Sequence, residues 1–205
     1  MNRLIHIEAS PLKHRSNSTA IAEAFLNAYQ EHHASDDIVR LNVWDMELPA
    51  FDAETIDAKL AVLRTQAFTP AQWQRWNALR AVSREFNAAD KYVFSVPMWN
   101  FGVPYPLKHF IDIVTLPGEN WTWSRTRGYQ PLLCGKKALL ICSSATDHSD
   151  DDSDFQKPYL QRWLSFIGVT EHHEITLAPT LADAAAVAER CAAAIEQARS
   201  LAACF

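Results

Sequence analysis

The chain has no excess of positive charge: 19 Lys and Arg stand against 24 Asp and Glu over 205 residues, a formal net charge of -5. A protein that grips a nucleic-acid backbone needs a basic face, so no nucleic-acid partner is expected. Cysteine is scarce as well. Cys134, Cys142, Cys191 and Cys204 form neither a C-x-x-C pair nor a metal-ligand spacing. Four thiols cannot replace the core of a chain this long, so reduced thiols in a cytoplasmic protein are expected and no metal site is. No apolar run reaches the ~20 residues of a membrane span, so no membrane partner is expected. The start, Met1-Asn2-Arg3-Leu4-Ile5-His6-Ile7-Glu8, meets charge before the apolar core of a signal peptide could form. With 48% hydrophobic and 21% charged residues the chain is ordinary globular material, and one domain over 1–205 is the simplest organisation.

What is present is alternation. Leu4, Ile5 and Ile7 form a first strand, and Ile21, Phe25 and Ala28 recur at helical spacing after it. Val39, Leu41 and Val43 mark a second strand, and 52–64 reads as a helix. Thr69-Pro70 is an N-cap followed by proline at the first helical position. The stripe Trp73, Trp76, Leu79, Val82 and Phe86 follows, expected to serve core or dimer packing. A third strand runs from Val93 into Pro97, which cannot donate to a ladder, and a helix occupies 107–114. A fourth strand at 138–142, a helix ending at Gly168, a last strand at 174–177 and an alanine-rich helix over 181–203 complete the chain. The segment 117–131 carries few helix or strand signals, and the acidic stretch 147–154 lacks the glycine and closing glutamate of a calcium loop. The pairs His32-His33 and His172-His173 point apart and are expected at the surface. Strands alternating with helices predict an α/β fold: a doubly wound five-stranded parallel sheet in a three-layer α/β/α sandwich, order 2-1-3-4-5. Ligands in such sheets bind at the carboxyl ends of the strands where the winding reverses.

Three loops follow strands one, three and four and converge there. The first, Ser10 to Ser18, opens a helix with Ser16, Asn17 and Ser18 beside Lys13 and Arg15. Small hydroxyls and amides at a helix N-terminus suit a phosphate, although serine and asparagine also cap ordinary helices, and neither a Walker loop nor G-x-G-x-x-G is present. The second is Pro97-Met98-Trp99-Asn100-Phe101-Gly102-Val103-Pro104. It offers flat apolar faces, an amide that donates and accepts, and a backbone stiffened by two later prolines. The third, Ser143-Ser144-Ala145-Thr146, is small and polar. A phosphate cradle, an aromatic wall and a polar edge match a mononucleotide with a flat ring system, and among common cofactors FMN suits them best.

At these residues the chain resembles the bacterial FMN-dependent NADH:quinone oxidoreductases and azoreductases of the flavodoxin-like class, essentially end to end. The most specific match is Pro97 to Pro104 with Pro106-Leu107-Lys108 and Asp112 following. Ser10, the trio Ser16 to Ser18, Gly135-Lys136-Lys137 and Phe166-Ile167-Gly168 match further landmarks. The resemblance implies that the phosphate sits on the first loop, that Pro97, Met98, Trp99, Asn100 and Phe101 lie along the ring, and that Ser143, Ser144, Ala145 and Thr146 border its pyrimidine end. The family commonly carries S-R-G-G at that third loop, and this chain has neither the arginine nor the glycines. Phe101, Trp121 and Trp123 would form the substrate pocket at the mouth of the cleft. By the same resemblance NADH or NADPH gives a hydride to N5 of FMN, leaves, and is replaced by a quinone or azo compound in a two-electron ping-pong cycle without a catalytic side chain. A homodimer whose second subunit completes the cleft is also implied. A flavodoxin-like electron carrier or non-catalytic flavin-binding module is the alternative, and the long aromatic excursion after the central helix argues against it.

Overall fold

The computed structural model describes residues 1–149 and 152–205. Its strands are β1 (Arg3–Glu8), β2 (Asp37–Asn42), β3 (Lys91–Pro97), β4 (Trp121–Ser124), β5 (Gly128–Pro131), β6 (Lys137–Ser143) and β7 (Glu171–Leu177). Five of them form one parallel sheet in the order β2-β1-β3-β6-β7, the expected 2-1-3-4-5 winding with a hairpin inserted. The helices are α1 (Asn17–His32), α2 (Ala53–Leu63), α3 (Pro70–Asn87), α4 (Tyr105–Val114), α5 (Gln156–Ile167) and α6 (Ala184–Ala202).

Side chains of the central strands alternate between two cores because successive Cβ atoms point to opposite faces. Ile5, Ile7, Tyr92, Phe94, Val96, Leu140 and Cys142 pack against α3, α4 and α5. Leu4, Val93, Leu139 and Ile141 pack against α1 and α6, where Ala194, Ala198 and Ala202 let the closing helix approach closely. Burial on both faces explains why these strands read as continuous apolar runs. Each fully buried Phe, Ile or Leu contributes about 1.5–3 kcal/mol.

Local signals hold where they were strongest. Thr69 and Gln72 form a reciprocal capping box at the start of α3, and Asp52 caps α2 by accepting from the Thr55 amide at 3.0 Å. The tryptophan stripe divides, however: Trp76 is buried, whereas Trp73 is half in water against Phe68. Three of the four paired histidines are half-buried rather than exposed. His33 stacks on Tyr29 at 4.3 Å, and His172 and His173 lie on β7, which starts three residues earlier than expected. The segment 117–131 contains β4 and β5, an antiparallel hairpin in which Trp123 faces Tyr129. The acidic stretch 147–154 falls partly outside the described residues.

Candidate cofactor site

The first loop leaves β1, makes one 3-10 turn at Lys13–Arg15 and enters α1 through Ser16. Ser16 occupies the N-cap, yet its hydroxyl makes no cap hydrogen bond; it lies 3.1 Å from the Ser18 hydroxyl instead. Both serines are buried, and the amides of Asn17, Ser18 and Thr19 find no acceptor among the described residues. A helix whose cap residue declines to cap exposes its first donors and their partial positive charge. Ser10, also buried, turns its hydroxyl inward to accept from Leu12 N at 3.3 Å. Lys13 does not join this cradle: its ammonium holds both oxygens of Asp45, at 3.0 and 2.8 Å.

The second loop is a tight turn. Trp99 and Gly102 exchange both backbone hydrogen bonds at 3.0 Å, and the two residues between them, Asn100 and Phe101, have φ of 47° and 68°. That is the left-handed pair of a type I′ turn, tolerable for asparagine but costing about 1–2 kcal/mol for an ordinary side chain such as phenylalanine. The permissive glycine of the sequence is therefore not the one under demand, since Gly102 sits outside the left-handed region and a Cβ there would meet only the Trp99 carbonyl at 3.9 Å. The turn thrusts its rings outward, with Trp99 37% and Phe101 54% exposed. The Asn100 side chain is exposed and has no hydrogen-bond partner among the described residues. Pro97 and Met98 are half-buried at its base, where Met98 N donates to the Ser143 carbonyl at 2.7 Å.

That bond ties the second loop to the third. Ser143 and Ser144 are buried, Ala145 and Thr146 exposed. The Ser144 hydroxyl donates to the Thr146 carbonyl at 2.7 Å, and the carbonyls of Ser144 and Ala145 accept from Thr180 and Leu181 after β7. The amides of Ala145 and Thr146 have no acceptor among the described residues. A cavity of about 220 Å³ opens between Met98, Ser144, His148 and Gln156. Phe155 N donates to the Phe101 carbonyl at 2.9 Å, and the Phe101 ring meets His148 edge-on. Thus the structure brings together the loops carrying Ser10, Ser16, Asn17, Ser18, Pro97 to Phe101 and Ser143 to Thr146 at the carboxyl ends of β1, β3 and β6.

Trp121 and Trp123 are not brought there within one chain. Trp121 is buried against Tyr129 and Phe166, at the far end of α5 from the Phe155 that touches the turn. Eleven residues of helix separate those two ends by about 16 Å. The cause is Gly168, which closes α5 at φ 107° so tightly that an added Cβ would lie 2.0 Å from the Leu133 carbonyl, clamping the hairpin's return strand to the helix end. Sequence reading also missed His148, Phe155 and Gln156, whose only signal was their place just beyond the third loop.

Two flat rings beside a cluster of unused amides, on the reversal edge of a doubly wound sheet, define a flavodoxin-like site. The family described as having the flavodoxin-like fold matches residues 2–202. The chain is 40% identical over 188 residues to an FMN-dependent NADH:quinone oxidoreductase of Desulfotalea psychrophila, covering 90% of this chain and 89% of that one. It is 36% identical to the FMN-dependent NADH:quinone oxidoreductase 3 of Pseudomonas fluorescens, covering 98% and 96%. An azoreductase from Bacillus anthracis has the same fold, with a TM-score of 0.90 at 23% identity over the whole of both chains. A second structure from that organism, an FMN-dependent NADH-azoreductase in complex with FMN, gives 0.84 at 24% identity, covering 98% and 100%. The chain belongs to the family of FMN-dependent NADH:quinone oxidoreductases.

Proposed function

We propose that this chain, as one domain over 1–205, is a cytoplasmic FMN-dependent oxidoreductase that takes electrons from NADH and reduces quinones and aromatic azo compounds. The observation that carries it is the uncapped start of α1: the buried hydroxyls of Ser16 and Ser18 and three free amides form an anion cradle one loop away from an exposed aromatic turn. Bound across these loops, FMN supplies the centre that accepts a hydride and passes on two electrons. The residues supply placement. Ser10, Ser16, Asn17 and Ser18 hold the phosphate; Pro97, Met98, Trp99 and Phe101 flank the ring; Asn100 and the amides of Ala145 and Thr146 pair with its carbonyl and N–H edges. Donor and acceptor are both flat and use one open face in turn, which makes the cycle ping-pong.

A second copy of the chain completes the site. Val103, Phe155 and Tyr159 surround an apolar hollow of about 530 Å³ between α4 and α5, and the buried Trp121 indole N–H has no acceptor in its own chain among the described residues. A homodimer across this face covers the hollow and carries Trp123, 54% exposed on its own hairpin, to the partner's acceptor pocket beside Phe101. No helix among the described residues is long and apolar enough to cross a membrane.

The test is reconstitution with excess FMN, desalting, an absorption spectrum, and NADH oxidation with a benzoquinone and an azo dye. A flavin band with NADH-dependent turnover is expected. A colourless protein refutes the reading, and a flavin-bound protein inert to NADH makes it a carrier. Light scattering of the loaded protein should give twice the chain mass.

A further inference from the structure

Next to the aromatic turn lies a cluster that the flavin site leaves unused. Trp44, just after β2, is fixed by its indole N–H donating to the Ala9 carbonyl at 3.0 Å and by its amide donating to Asn42 at 2.9 Å. Its ring centroid is 5.5 Å from Trp99 and 5.3 Å from Tyr105, with interplanar angles of 54° and 75°. Rings so tilted do not stack on one another; Trp44 packs against the core beneath, while Trp99 and Tyr105 are exposed. Tyr105 is 69% exposed, although its ring meets Trp44 edge-on. Beneath them is a cavity of about 300 Å³ lined by Trp44, Met46, Glu47, Tyr105 and His109.

Two polar groups face that cavity. Glu47 is exposed and has no ion pair or hydrogen bond among the described residues, whereas its neighbour Asp45 is held by Lys13. His109 uses Nε2 to donate to the Pro49 carbonyl at 3.0 Å, which leaves Nδ1 as an acceptor. Flat faces, one ring acceptor and one free carboxylate fit an aromatic base with an exocyclic amine joined to a sugar with free hydroxyls. Such a fragment is the adenosine half of the nicotinamide donor. The cavity is one ring, Trp99, away from the loop that flanks the flavin, so a donor with its nicotinamide over the flavin has its other half within reach.

We propose that the cavity bounded by Trp44, Glu47 and Tyr105 seats the adenosine of the donor, and that Glu47 sets a preference for NADH over NADPH. This rests on the oxidoreductase reading above. The base lies in the cavity against Tyr105 and Trp44, Glu47 accepts from the ribose hydroxyls, and the same carboxylate repels a 2′-phosphate. Neither Glu47 nor Tyr105 belongs to the flavin loops.

Calorimetry separates this proposal from the reading it rests on. ADP-ribose, which lacks the nicotinamide, is titrated into the full chain without flavin and again loaded with FMN. Binding is expected in both forms, about tenfold weaker in Tyr105→Ala. ADP-ribose 2′-phosphate should bind more weakly than ADP-ribose to the native chain, with the gap closing about tenfold in Glu47→Gln. In turnover, Tyr105→Ala should raise KM for NADH and leave rates with N-benzyl-1,4-dihydronicotinamide, a donor without adenosine, unchanged. No heat from ADP-ribose at millimolar concentration, or heat unaltered by both substitutions, overturns the proposal. Equal losses with both donors also overturn it. Absence of a flavin band refutes the oxidoreductase reading alone, because the flavin-free titration still decides the adenosine site.

Discussion

Ser18→Asp tests the cradle most directly. The hydroxyl of Ser18 is buried, 3.1 Å from that of Ser16, at the second residue of a helix whose first three amides are free. A phosphate on those amides, carrying about -2, would sit about 5 Å from a carboxylate at position 18. Coulomb repulsion at that distance is about 2 kcal/mol in bulk water and about 7 kcal/mol at an effective dielectric of 20. FMN affinity should therefore fall by at least about thirtyfold. Riboflavin has no phosphate, so its affinity should change by less than about threefold. The assay is quenching of flavin fluorescence with each ligand, on protein whose melting curve shows that the fold survives. Ser18→Ala, which removes one hydrogen bond and adds no charge, supplies the second arm, with an expected FMN loss of about 1 kcal/mol. Equal losses for FMN and riboflavin would place the phosphate elsewhere and refute the reasoning.

Asn100→Ala should weaken FMN or slow reduction by about 1–3 kcal/mol through a ring edge left unsatisfied, and unchanged affinity together with unchanged turnover would reduce Asn100 to a turn former. His6, buried on the α1 side with Nε2 2.9 Å from the Ser95 hydroxyl, has its pKa lowered to about 4 by burial, against the pull of Glu23 and with help from Arg40. The unfolded chain takes up a proton near 6.5 that the native one refuses, so this stability is present above pH 6.5 and lost as pH falls towards 4. The expected loss is about 3 kcal/mol by urea unfolding, and His6→Gln should flatten that slope. Gly168→Ala should destabilise the chain by more than about 2 kcal/mol, because the added carbon meets backbone rather than a movable side chain; an unchanged melting temperature would show that the hairpin return can shift. Trp123→Ala should alter turnover of a bulky azo dye more than that of a small benzoquinone while FMN binding stays constant, and proportional changes would make Trp123 a packing residue.

The sheet order was legible because burial on both faces leaves an unmistakable mark, four to six apolar residues such as Ala138 to Cys142 between punctuated helices. The cradle was legible as residue types, but its decisive feature was not: whether Ser16 caps α1 or leaves the amides free depends on the hydroxyl of Ser18 two residues on. Lys13 could not be assigned from composition, since its partner Asp45 lies 32 residues away. The hairpin stayed hidden because Trp121–Ser124 is only four residues long and draws its stability from Phe166 and Gly168, far along the chain.

At the third loop the family's usual motif is replaced, and the backbone shows what that replacement asks of it. Glycine is needed where the backbone must turn left-handed or where a Cβ would block a ligand's approach. The first demand is not made here. Ser143, Ser144, Ala145 and Thr146 all lie outside the left-handed region, so ordinary side chains cost the backbone nothing. The Ser144 hydroxyl is folded onto the Thr146 carbonyl, the Thr146 hydroxyl meets His148 Nε2 at 3.0 Å, and Ala145 adds a single methyl. The carbonyls of the loop are meanwhile drawn towards Thr180 and Leu181, which leaves the amides of Ala145 and Thr146 as its free donors. What the family's usual sequence supplies here beyond donors is the arginine's charge. Under the flavin reading proposed above, the loop lacks one cation rather than a usable backbone, and the effect should fall on the electronics of the bound flavin more than on whether it binds.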